Sequence, residues 1–115
     1  MLIELGRDLE PMPDALKTDA TLVKGCASKV WTYPIRREDG PLHFLADGES
    51  AFTKGVIALV LMIVQDKTPQ EILQIDIEGE LEPFRLDRFL TKNRVMGIPS
   101  MIALIRETAS RYAAT

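Results

Sequence analysis

The sequence holds a single thiol, Cys26, and a single imidazole, His43, and that scarcity bounds the chemistry open to it. One Cys and one His make neither a CxxC nor an HxxxH pair, which excludes a Cys/His structural zinc site and an internal disulfide. The seven glycines are scattered and form no GxGxxG or GxxxxGK[ST] phosphate loop. Cys26 sits in Leu22-Val-Lys-Gly-Cys-Ala-Ser-Lys-Val-Trp31. A lone cysteine is more often an inert small core residue than a reactive one. Here Gly25 permits a sharp turn beside the sulfur, and Lys24 and Lys29 supply positive charge that favours the thiolate. Ser28 either donates a hydrogen bond to that thiolate or caps the local turn. Trp31 is expected to anchor the loop in the core. His43 is the only conceivable base partner for Cys26, in a small thiotransferase or hydrolase, although a hydrogen-bonded strand histidine is the more ordinary reading. The acidic pairs Glu38/Asp39 and Glu80/Glu82 read as solvated turns.

The elements that must position these residues follow from local pattern. Residues 2–6 read as the end of a helix stopped at Gly6, and Pro11 and Pro13 open a loop with a short turn over 14–17. Lys29-Val-Trp-Thr-Tyr-Pro-Ile-Arg36 is β-branched and aromatic and reads as a strand, with Pro34 implying an edge position or a bulge near its end. Asp39-Gly40 marks a tight turn, and Leu42-His-Phe-Leu-Ala-Asp47 returns as the second strand of a hairpin. Ser50 is the N-cap of a helix apolar almost all round, which makes that helix the buried centre. Gly55 within it costs about 1 kcal/mol of helix propensity and implies close approach of another backbone. Thr68-Pro-Gln-Glu71 has the form of a capping box with proline at the first position. Residues 75–79 read as a loop or brief strand and 82–90 as a short helix. A last helix carries Ile98, Met101, Ile102, Ile105, Ala109 and Tyr112 on one stripe, with Pro99 in its first turn. A hairpin followed by helices is an α+β layout, a small antiparallel sheet packed against helices, and not a βαβ nucleotide fold.

At 115 residues the chain is sized for one domain. A net charge of -3 with scattered basic residues argues against nucleic-acid binding. The longest apolar run, 56–64, is far short of the roughly 20 residues a membrane span needs. The amino end lacks the apolar core of a secretory signal, so a soluble, cytoplasmic protein is expected.

Several stretches together resemble a known family. Gly25-Cys-Ala-Ser-Lys-Val-Trp31 is similar to the GCxSxVW signature of the SufE family, sulfur acceptors of iron–sulfur cluster assembly. Leu2-Ile-Glu-Leu-Gly-Arg-Asp-Leu9 resembles its LIELGxxL stretch, and Thr53-Lys-Gly-Val-Ile-Ala-Leu59 its KGLIALL helix. Lys67-Thr-Pro-Gln-Glu-Ile-Leu73 matches its TPxEIL helix start, and residues 94–105 its closing SRxxGLxAM helix. The resemblance implies a SufE/IscU-like α+β fold over one domain, residues 1–115. It also implies a non-enzymatic role, in which Cys26 takes sulfur as a persulfide from a SufS-like cysteine desulfurase, activating it. The sulfur then passes to a SufBCD-like cluster scaffold. No cofactor is implied for this chain, because pyridoxal phosphate resides on the desulfurase. Gly25, Ser28, Trp31, Asp47, Gly55 and Arg94 fall on positions that support or border the cysteine loop. Two departures stand out. Family members carry a further amino-terminal helix ahead of the LIELG stretch, which this chain is expected to lack. Met96 stands in Arg94-Val-Met-Gly97 where the family reads Arg-x-Asn-Gly, which bears on partner contacts.

Overall fold

A computed structural model describes residues 2–23, 29–38, 40–84 and 92–114, with side chains described from Glu4 onward and, in the last helix, from Ile98 onward. The sheet is a hairpin of β1 (Val30–Arg36) and β2 (Leu42–Gly48), antiparallel, with Val30 opposite Gly48 and Arg36 opposite Leu42. Gly40 turns it with φ +109°, a conformation that disfavours side chains. The alternation is sharp: Val30, Thr32, Leu42, Phe44, Ala46 and Gly48 are buried on the inner face, while Trp31, Tyr33, Ile35, His43, Leu45 and Asp47 form the outer one.

A two-stranded sheet has two open edges, and both are partly closed. On the β1 side, the Val23 N–H donates to the Val30 carbonyl at 2.7 Å and the Thr32 N–H to the Thr21 carbonyl at 2.9 Å. The even-numbered residues of β1 therefore turn their backbone groups away from β2. Pro34 shares that parity, so its missing N–H removes no bond from the hairpin ladder. On the β2 side, the Gln65 amide takes the place of a neighbouring strand: it accepts from the Phe44 N–H at 2.7 Å and donates to the Phe44 carbonyl at 2.9 Å. Leu42 is paired in the same way with Lys67 and Asp66 through backbone bonds.

Helix α2 (Ala51–Val64) begins at Ser50, whose hydroxyl accepts from the Thr53 N–H, and Gly55 to Leu61 and Val64 are all buried. It is the central element expected from its pattern. The short α1 (Leu2–Arg7) crosses it where Gly6 meets Gly55: a Cβ on Gly6 would lie 2.8 Å from the Gly55 nitrogen. Gly6 is thus inside the helix rather than its stop, and it is there for the contact. Helix α3 (Pro69–Gln74) carries the complete capping box between Thr68 and Glu71.

Two segments differ from expectation. Residues 77–81 form α4 (Ile77–Leu81), capped by Asp76, where a loop or strand was expected. Ile77 and Leu81 are buried one helical turn apart, and Glu78 makes a two-pronged ion pair with Arg106, so tertiary contacts stabilise a helix too short to persist alone. Glu82–Phe84 follows as one 3-10 turn, and residues 85–90 of the helix expected there lie outside the described residues. Helix α5 spans Lys92–Ala113, so Pro99 is interior and not in the first turn. An interior proline forfeits one helix bond. Burial of Met101, Ile102, Ile105 and Ala109 in the core compensates on the carboxyl-terminal side. The hydrophobic core joins the inner face of the hairpin to α2, α3, α4 and α5. The fold is α+β, as expected.

Gly6→Ala tests the α1–α2 crossing. Helix propensity alone would favour alanine by about 1 kcal/mol. The added methyl instead meets backbone, so urea denaturation should show a net loss of about 1–3 kcal/mol.

Candidate functional site

The segment carrying Gly25, Cys26 and Ser28 falls on residues 24–28, outside the described residues, but both of its anchors are described. Val23 and Val30, at 4% and 5% exposure, are rooted in the core and joined by the 2.7 Å backbone bond. Leu22 bridges Trp31, and the Glu49 N–H donates to the Lys29 carbonyl at 3.1 Å. The chain therefore leaves from and returns to one fixed edge of β1. A short connection between paired anchors, above a rigid element, is a frequent location for reactive groups.

Trp31 is not in the core. Its odd position in β1 puts it on the outer face, half-buried, with the Lys17 ammonium 5.7 Å from its ring centre. It still holds the stem, because it bridges Leu22 on one side and stands opposite Asp47 on the other. Asp47 organises this end of the face. Its carboxylate accepts from Lys17 Nζ at 2.8 Å, lies 3.5 Å from Lys54 Nζ, and accepts the Gly48 N–H at 2.8 Å. Burial, the largest single influence, pushes the carboxyl's pKa up. The bonds from Lys17 and Gly48 and the charges of Lys54 and Lys17 outweigh it and leave the pKa below the ordinary value. Lys17 in turn is raised, chiefly by its bond to Asp47. A groove of about 590 Å³ opens beside this cluster, lined by Met12, Lys17, Asp47, Glu49, Ala51 and Lys54 among others. The arrangement joins cations to the foot of the segment that bears the thiol. Gly55 faces Gly6 at the α1–α2 crossing, and its relation to residues 24–28 is not among the described contacts. Arg94 belongs to α5, and its side chain lies outside the described residues.

His43 is committed elsewhere. Its Nε2 is 2.7 Å from Glu10 Oε1 and its Nδ1 2.8 Å from Asp66 Oδ1. Burial is the largest influence and lowers its pKa; the bonds to Asp66 and Glu10 and their charges prevail and raise it above the ordinary value. An imidazole occupied on both nitrogens by carboxylates has no free site to take a thiol proton, which argues against a Cys–His dyad. Glu38, Glu80 and Glu82 are exposed, as expected, and Asp39 lies outside the described residues. No group of three or more His, Cys, Asp or Glu residues suited to a metal ion occurs among the described residues. Lys17, Glu10 and Asp66 were not marked by any motif; they reach the face from two separate connections, α1–β1 and α2–α3, which no local spacing encodes.

The described residues form an α+β scaffold on a two-stranded sheet, whose edge anchors both ends of residues 24–28. The sequence matches the SufE family model, an Fe-S metabolism associated domain, over residues 1–109. The chain belongs to the SufE family, and with it to iron–sulfur metabolism. Its fold is also similar to the solution structure of a hypothetical protein from Thermus thermophilus, with a TM-score of 0.78 at 16% identity, over 99% of this chain and 82% of that one. At that identity the likeness is one of fold. No helix among the described residues is long and apolar enough to cross a membrane.

Asp47 has a lowered pKa in the folded state, so its contribution to stability is complete above its ordinary value of 3.8 and disappears as pH falls through the depressed one. Asp47→Asn should therefore be less stable than wild type at neutral pH, and the difference should shrink to nothing in strong acid. Urea denaturation across a pH series measures both ends.

Proposed function

We propose that the protein is a persulfide sulfur acceptor, with Cys26 as the nucleophile, working as a carrier rather than as an enzyme. The observation that carries this reading is the family match together with the placement of the thiol segment between paired backbone anchors on β1. The donor is a cysteine persulfide on a partner, R–S–SH. The Cys26 thiolate attacks its terminal sulfur: a new S–S bond forms at Cys26, the donor's S–S bond breaks, and the donor cysteine leaves as thiolate. Atoms and charge balance without an external oxidant or reductant. The thiolate is the reactive form, and positive charge beside the segment favours it. Lys17, Lys54 and the exposed Lys29 provide charge at its foot.

By this reading the donor is a SufS-like cysteine desulfurase, which holds the pyridoxal phosphate and is activated when its persulfide is cleared. The acceptor further on is a SufBCD-like iron–sulfur scaffold. The protein acts as a single domain over residues 1–115. Gly25 gives the segment freedom to present the sulfur, Ser28 donates to it, Trp31 and Asp47 hold its stem, Gly55 seats α2, and Arg94 contributes charge toward the partner.

The test is sulfur transfer read by mass. Incubation with a cysteine desulfurase and cysteine should add one sulfur to the peptide containing Cys26 and accelerate alanine formation by the desulfurase. Cys26→Ser should lose both effects. Stimulation of the desulfurase by Cys26→Ser at the wild-type level would sink the proposal.

A further inference from the structure

Residues 8–21 form a strap over the outer face of the hairpin, and the means by which it is held is unusual. Leu45, in the middle of that face, is 7% exposed, and Met12 of the strap is 5% exposed. The strap is tied on either side of them, by Glu10 to His43 and by Lys17 to Asp47 and Trp31. From there it runs directly into Leu22 and Val23, the descending stem of the thiol segment.

The pair of ties at His43 depends on a proton. A carboxylate only accepts, so His43 can satisfy Glu10 through Nε2 and Asp66 through Nδ1 only if both ring nitrogens carry hydrogen, that is, as imidazolium. We propose that His43 is a proton-controlled latch: as imidazolium it holds the residue 8–21 strap on the hairpin through Glu10, and on losing its proton it releases the strap.

The surroundings fit that role. Asp66 is fixed at the end of α2 with φ +58°, a left-handed backbone that aspartate tolerates better than most residues. That turn allows its N–H to reach Leu42 while its carboxylate meets the ring. From the β1–β2 turn, Arg37 Nε donates to the same Asp66 oxygen at 3.1 Å. Arg37 Nη2 also comes within 3.2 Å of Nδ1; a guanidinium only donates, so that contact becomes a hydrogen bond when Nδ1 is bare, whereas in the imidazolium the Nδ1 hydrogen goes to Asp66 at 2.8 Å. On the side of α1, Asp8 lines the groove that includes Glu10 and His43. With His43 charged, Glu10, Asp66, Arg37 and His43 sum to zero; with it neutral they leave one negative charge, the ring has one hydrogen for two carboxylates, and Glu10 loses the opposite charge that drew it in.

The direction with pH follows. His43 has a raised pKa in the folded state, so the latch is complete below 6.5 and is lost as pH rises through the raised value. Asp66 is held below its ordinary value of 3.8, chiefly by its bond to His43, so its own hold on the ring persists in acid until pH falls through that depressed value.

The full chain carries its own two probes, the single histidine and the single tryptophan. Nitrogen-15 spectra should show His43 more than half imidazolium at pH 6.5 and titrating above the free-imidazole range. Trp31 emission should change with the same midpoint, because strap release withdraws Lys17 from its ring. Hydrogen-exchange protection of the Leu16 and Lys17 amides should fall about tenfold across that midpoint, the loss expected for one charged hydrogen bond. His43→Gln should abolish the Trp31 transition. Glu10→Gln, a change at an exposed position that leaves the fold intact, should lower the proton affinity of His43 up to about tenfold and move the transition to lower pH. A neutral ring at pH 6.5 overturns the proposal. So does a Trp31 transition that survives His43→Gln at the same pH, or a Glu10→Gln protein that titrates as wild type.

Discussion

The structure is organised by one constraint: α2 is apolar almost all round and must be covered on every side. From Gly55 to Leu61 every residue of it is buried, and each direction it faces requires a different neighbour. The inner face of the hairpin covers one side, and α1 another through the Gly6–Gly55 contact. The core that results also takes in α3, α4 and α5. Apolar burial of this kind stabilises at roughly 25 cal/mol per Å², so the demand of α2 dominates the placement of everything else. It also explains an asymmetry. The inner face of the hairpin is consumed by α2, which leaves only the outer face and the edges for chemistry.

Those edges are where the thiol-bearing segment is attached. A hairpin is too narrow to be stable by itself, and an unpaired edge invites association with other strands. In this fold β2 is closed by Gln65, Asp66 and Lys67, and β1 by Thr21 and Val23. The second closure does two things with one set of bonds: it ends the sheet, and it fixes both ends of residues 24–28. The thiol-bearing segment is therefore not appended to the fold, since its stem is the edge protection of β1.

Features written in neighbouring residues were legible in the sequence. Ser50 with Thr53, Thr68 with Glu71, and the Asp-Gly turn are local hydrogen-bond devices, and each is present as read, with Asp39 itself outside the described residues. The close approach at Gly55 was legible because glycine inside an apolar helix carries a cost that only a contact repays. Helix α4 was not, since Asp76 capping Gly79 looks like a turn, and the Arg106–Glu78 pair that steadies it spans distant residues. Proline at the start of the last stripe suggested a beginning, yet α5 extends seven residues further back, to Lys92. Trp31 was assigned to the core by its size, whereas the two-residue period, with Val30 and Thr32 inward, sends it outward. Cys26, Gly25, Ser28 and the Arg94 side chain remain where the sequence motif alone speaks for them.

The contrast between the two faces of the hairpin bears on function. Inward contacts are apolar and close-packed, so they respond to volume and hardly at all to pH. Outward contacts run through Asp47, Lys17, His43 and Glu10, which are directional, partly solvated and dependent on ionisation. Ion pairs at such sites contribute little each, of order 0–1 kcal/mol when exposed. A strap held by a few of them can therefore detach at the cost of exposing Met12 and Leu45, while the main core on the inner face stays packed. The sulfur carrier proposed above has that need. Its thiol segment must be sheltered between partners and presented during transfer, while the scaffold stays folded throughout. Placing the stem on a rigid edge, and the strap on titratable contacts, separates the part that persists from the part that, by that proposal, moves.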